Sequence, residues 1–142
     1  MSNFFTKWYV EICVAFILVL LCAVSFSTLL TKPRIWTDEA VTLEIARNVY
    51  ESGVFNAKPA PDTWYPAPYV LQSTGYPVTI SLAAAFTLFD YGFTQARVVM
   101  LLWILFALIA TFLCMRSLFT KEIALGSVLL LSTFASFHAN GR

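Results

Sequence analysis

Charged side chains are scarce in this chain. Only 12% of its 142 residues are Asp, Glu, Lys or Arg, against about 25% in an ordinary soluble domain. Hydrophobic residues make up 59% and the mean hydropathy is +0.75. A small soluble globule with a solvated surface is excluded, and so is intrinsic disorder. Charge of one sign is also missing: nine basic residues face eight acidic ones, a net charge of +1. That leaves no basic field for nucleic acid. There is one histidine, so paired-histidine metal sites and histidine-based triads have no material. The three cysteines, Cys13, Cys22 and Cys114, form no C-x-x-C pair and sit in apolar runs, which argues against a disulfide framework or zinc ligation. The five glycines are scattered and build no phosphate loop, and no N-x-S/T acceptor occurs.

What the chain does have is long apolar runs. Ile12 to Thr31 carries no charge and covers about 30 Å as a helix, the thickness of a bilayer core. It lies between Glu11 and Lys32 and reads as a first transmembrane helix. A cleaved signal peptide with Ala23-Val24-Ser25 as its small-residue site is the rival reading, but the run exceeds the usual core of about 7–15 residues. Val98 to Met115, between Arg97 and Arg116, reads as a second span. Ile123 to Gly141 reads as a third.

Pro33 to about Gln72 is the polar territory. It holds Asp38, Glu39, Glu44, Glu51 and Asp62. Thr37 to Glu51 is expected to be a helix, capped by Thr37 or Asp38, with two acids at its positive end. Val41, Ile45 and Val49 form an apolar stripe at i+4, expected to lie on the membrane surface. Arg47 and Glu51 form an i, i+4 pair, and Gly53 stops the helix. Lys58 to Pro68 contains four prolines and is expected to be an extended loop. Pro77 to Phe89 should form a helix of about 20 Å, short for a span. It is read as a second interfacial or half-buried helix, ended by Asp90 and Gly92.

The expected architecture is an all-α integral membrane protein. Residues 1–31 form the N-terminal segment and first span. Residues 32–97 form an extracytoplasmic loop with interfacial helices at about 37–52 and 77–89, and residues 98–142 form a transmembrane hairpin. There are three spans, or four if 77–89 also crosses. With three, Lys7, Arg116 and Lys121 lie inside; with four, Lys7, Arg97 and Arg142 do. The positive-inside rule does not choose between them. Both put the Asp38 loop outside an inner or plasma membrane.

The stretch Trp36-Thr37-Asp38-Glu39-Ala40 follows the first span closely. A carboxylate at headgroup level can serve as a general base toward a substrate delivered on a lipid; capping is its ordinary role. Arg97 reads first as a snorkelling anchor and second as a partner for a lipid phosphate. Lys58, like Arg34, is a loop base that can hold phosphate or simply face solvent and headgroups. Trp36, Trp64, Tyr65 and Tyr69 suit an interfacial belt. His138, near the end of the third span, is read as structural. Glu44 and Arg47 are read as helix surface.

The order of these features resembles the N-terminal part of GT-C class membrane glycosyltransferases. More narrowly, it resembles the group of dolichyl-phosphate-mannose protein mannosyltransferases and aminoarabinose transferases. The residues that carry the resemblance are Trp36-Thr37-Asp38-Glu39-Ala40, Ile45-Ala46-Arg47-Asn48 and Glu51-Ser52-Gly53-Val54-Phe55. Thr74-Gly75-Tyr76-Pro77, Gln95-Ala96-Arg97-Val98 and Met115-Arg116-Ser117-Leu118-Phe119 extend it over about Thr31 to Arg142. Gly75-Tyr76-Pro77-Val78 keeps one proline where the family pattern has two. The resemblance implies transfer of a sugar from a polyprenyl-phosphate donor to an extracytoplasmic protein, lipid or glycan acceptor. It implies Asp38 as general base, while Glu39 orients the acceptor, binds a divalent cation or only caps the helix. Family members are several times longer, so the chain is expected to be the front of a larger enzyme and inactive alone. The competing expectations are a non-catalytic membrane scaffold or accessory subunit and, third, a signal-bearing protein unrelated to sugar transfer.

Overall fold

A computed structural model of the protein describes residues 2–28, 37–60, 63–65 and 75–134. Among them are five helices and one short hairpin: α1 (Ser2–Thr28), α2 (Thr37–Ser52), β1 (Ala57–Ala60), β2 (Thr63–Tyr65), α3 (Gly75–Phe89), α4 (Phe93–Leu118) and α5 (Lys121–Thr133). Two of the helices are long and apolar enough to cross a membrane, α1 over Trp8–Ser27 and α4 over its whole length. The chain divides into two units, Met1–Leu29 with Leu101–Arg142, and Leu30–Met100.

The first unit contains α1, most of α4, and α5. Its core comes from residues three, four or seven apart on each helix: Val10, Val14 and Leu21 of α1, Leu101, Ile104, Leu108 and Phe112 of α4, and Ala124 and Val128 of α5. This is the spacing of one helix face. The opposite faces are equally apolar, with Phe16, Val19, Leu102, Phe106 and Leu130 exposed. A helix apolar all round is at home in hydrocarbon. At one end, Glu11 of α1 pairs with Arg116 near the end of α4 at 2.9 Å and with Lys121 at the start of α5 at 3.6 Å. Beside them the Tyr9 hydroxyl donates to Glu122 at 2.7 Å. The start of α1, the end of α4 and the start of α5 therefore share one end of this unit. The described part of α5 has 13 residues, about 20 Å. The remainder of the expected third span, with His138, lies outside the described residues.

In the second unit α2 carries two apolar faces. Leu43 and Ala46 pack with Leu82 and Phe86 of α3 and Ala96 of α4. Ile45, flanked by Val41 and Val49, packs on Ala57 and Phe55. The Val41–Ile45–Val49 stripe, expected to lie on the bilayer, is thus covered by the chain's own return. The reason is local. Gly53 takes φ +71°, its N–H bonds the Val49 carbonyl at 2.9 Å, and this left-handed stop reverses the chain. The Asn48 side chain, buried, then donates to the Asn56 carbonyl at 2.7 Å. The segment expected as an extended loop pairs with itself, β1 against β2 antiparallel, with Ala57 opposite Tyr65 and Ala60 opposite Thr63. Proline is tolerated there because both strands of a two-stranded ribbon are edges.

α3 begins at Gly75, two residues ahead of the expected start, with Pro77 in its first turn, where proline is preorganised. It ends at Asp90, which takes φ +63°. The Gln95 amide donates to the orphan carbonyl of Phe89 at 3.0 Å.

Candidate functional site

The structure brings together two of the residues singled out from sequence. Arg97 Nε lies 3.3 Å from Glu39 Oε1, with side-chain exposures of 5% and 20%. Glu39 is on the α2 face that also carries Leu43 and Ala46, four and seven residues on. That face packs on Ala96, so the hydrophobic contact carries Arg97 to the carboxylate. Arg97 is 4% exposed. Its expected role as a snorkelling anchor therefore gives way to a buried guanidinium inside the unit. The physical reason is that an ion pair compensates burial of charge, and Glu39 lies within reach.

Asp38 lies in the first turn of α2, one residue before Glu39. Its side chain lies outside the described part of the structure, as do those of Thr37, Trp64 and Tyr65 and the whole of Arg34, Trp36 and Tyr69. Lys58 is exposed on β1, next to Ala57, which packs on the Ile45 side of α2. That places it on a different side of the helix from Glu39. Among the described residues, no group of three or more His, Cys, Asp or Glu side chains converges to hold a metal ion.

The expected Arg47–Glu51 pair is present at 2.8 Å, with both side chains about half exposed at 46% and 48%. The hydrogen bond that Arg47 donates to Glu51 holds its guanidinium above the ordinary pKa range. Arg47 also stacks over the Tyr91 ring at 5.4 Å, and that ring meets Phe86 edge-on at 5.0 Å.

Sequence reasoning missed two other polar contacts. The sequence pattern gives Asn48 no role beyond the Ile45-Ala46-Arg47-Asn48 stretch. Its position four residues after Glu44, whose Oε1 its amide faces at 3.5 Å, was the available signal. Glu11 was read only as a flank of the first span. An acid at the start of an apolar helix, with Arg116 and Lys121 bracketing the α4–α5 turn, was the hint to its pairing.

No known protein family, curated protein or solved structure matches the chain.

Proposed function

We propose that the chain is the N-terminal module of a polytopic membrane glycosyltransferase of the GT-C class. It handles a polyprenyl-phosphate sugar and an extracytoplasmic acceptor. The observation that carries the reading is the acidic pair Asp38–Glu39 in the first turn of α2. The pair closely follows a membrane-length helix, and its second acid is held by the buried Arg97. Asp38 is the base. It takes the proton of the acceptor hydroxyl as that oxygen bonds the anomeric carbon. The bond from that carbon to the phosphate oxygen breaks, and polyprenyl phosphate leaves with the electron pair. Glu39 and Arg97 are positioning residues that fix the start of α2 against the start of α4.

Three spans are favoured over four by the first unit. Glu11, Arg116 and Lys121 share one end. A four-span path, with α3 also crossing, would put the α4–α5 turn on the opposite side from Glu11. In the three-span reading this charged end is cytoplasmic, and α1 delivers α2 to the extracytoplasmic face of an inner or plasma membrane.

The test is sugar transfer from a polyprenyl-phosphate donor by membranes carrying the full-length enzyme of which this chain is the proposed front, with wild type beside Asp38→Asn. Removing a general base lowers the rate by about 10²–10⁴-fold. Equal transfer by wild type and Asp38→Asn would remove Asp38 as base. Absence of transfer with every polyprenyl-phosphate sugar offered would favour the accessory-protein reading.

A further inference from the structure

α3 contains no charged residue from Gly75 to Phe89. Its inner face is accounted for, because Thr79, Leu82, Ala83 and Phe86 are buried. Its outer face is not. Ile80 and Leu88 are 52% and 75% exposed, with exposed Ala84 between them at i+4 spacing. Phe89, at the end of the helix, is 66% exposed. A helix packed on one side and facing water on the other carries charge on the wet face, and this one carries none.

The hydroxyls give an independent observation. Thr79 donates to the Gly75 carbonyl at 3.3 Å, Ser81 to Val78 at 2.8 Å and Thr87 to Ala83 at 2.9 Å. Each threonine and serine of α3 thus has a bond within its own helix, so none of its hydroxyls depends on water for a partner. The turn after α3 leads at once into α4, which is long and apolar enough to cross a membrane. At 15 residues, α3 covers about 22 Å, short of the roughly 30 Å core.

We propose that α3 lies within one leaflet of the bilayer, with Ile80, Ala84 and Leu88 facing the acyl chains and Leu43, Ala46 and Ala96 covering its other side. This rests on the membrane reading above and specifies the surface through which the acid-bearing unit is held at the lipid. α2 then contacts lipid through α3 rather than through its own stripe.

The experiment is spin-label accessibility of the full chain in phosphatidylcholine nanodiscs. Cys13, Cys22 and Cys114 are replaced by alanine, and single labels are placed through Ile80→Cys, Leu88→Cys, Leu102→Cys and Glu51→Cys. Ile80 and Leu88 should match Leu102 of α4, with oxygen accessibility relative to a water-soluble nickel chelate several-fold above that at Glu51. Nickel access at Ile80 and Leu88 with oxygen access at Leu102 would overturn the proposal and leave the membrane reading standing. Low access to both probes at Ile80 and Leu88 would show that protein, such as a second copy, covers the stripe, and would also overturn it. Nickel access at Leu102 as well would fail both readings together.

Discussion

Glu39 and Arg97 are 58 residues apart in sequence, yet each is the other's compensation for burial. Removing either partner breaks an ion pair at a largely buried guanidinium, so Glu39→Gln and Arg97→Met should each destabilise the second unit by on the order of 3 kcal/mol. The double variant should recover part of that loss, because neither charge of the pair is then left without the other. Denaturant titration of the four-member cycle measures it, and additive losses would show that the pair is not coupled. Asn48 makes a narrower case. Asn48→Ala strips the Asn56 carbonyl of a buried donor and should cost about 1–2 kcal/mol, read by the same titration. Neither contact was legible beforehand. Glu39 and Arg97 were both picked out by residue type and place, but no spacing rule reaches across 58 residues. Local pairs were legible: Arg47 and Glu51, four apart on a helix, form the pair their spacing predicts.

Among the elements, the helices follow their periodicity and their stops. α2 runs Thr37–Ser52 where Thr37 to Glu51 was expected, because helical periodicity and the stop at Gly53 act over single turns. A Cβ at Gly53 would meet no atom within 4 Å, and φ there is +71°. Gly53→Ala should therefore cost only the left-handed backbone penalty, about 1 kcal/mol, as a fall in the thermal midpoint of the second unit with α2 retained by circular dichroism. A loss much above that would mean the turn carries packing the geometry does not show. The use of each helix face was not legible. Val41, Ile45 and Val49 satisfy the rule for a surface-lying helix equally well whether lipid or Phe55 and Ala57 cover them. Only the reversal at Gly53 decides which. The hairpin was hidden for a related reason: a proline-rich segment is extended in either case, and pairing depends on two strands meeting.

On the scale of the whole molecule, the prediction concerns sidedness. The ion pairs of Glu11 tie the start of α1 to the α4–α5 turn. On the proposed three-span path, Ser117→Cys should react with an impermeant thiol reagent only from the face opposite to Lys58→Cys, in oriented vesicles of a cysteine-free background. Labelling of both from the same face would overturn the three-span path in favour of the four-span one. Reversing the charge with Glu11→Lys should repel Arg116 and Lys121 and loosen α1 from the hairpin, seen as weaker cross-linking between Tyr9→Cys and Glu122→Cys, whose wild-type side chains touch. Undiminished cross-linking would mean that the apolar core of Val10, Val14, Leu108 and Ala124 suffices.

By itself, the sequence determined where the described helices run and that two apolar stretches are long enough to cross a membrane. Charge-free runs of membrane length and the i+3, i+4 pattern are local properties, legible before any fold is known. The tertiary structure alone decided the partners. It paired Arg97 with Glu39, put the α2 stripe under the returning chain, gathered Glu11 with Arg116 and Lys121, and left the outer face of α3 uncovered. Those outcomes depend on which surfaces meet after the chain turns back. A buried charge takes whatever opposite charge the packing brings within reach, and no local pattern names it in advance.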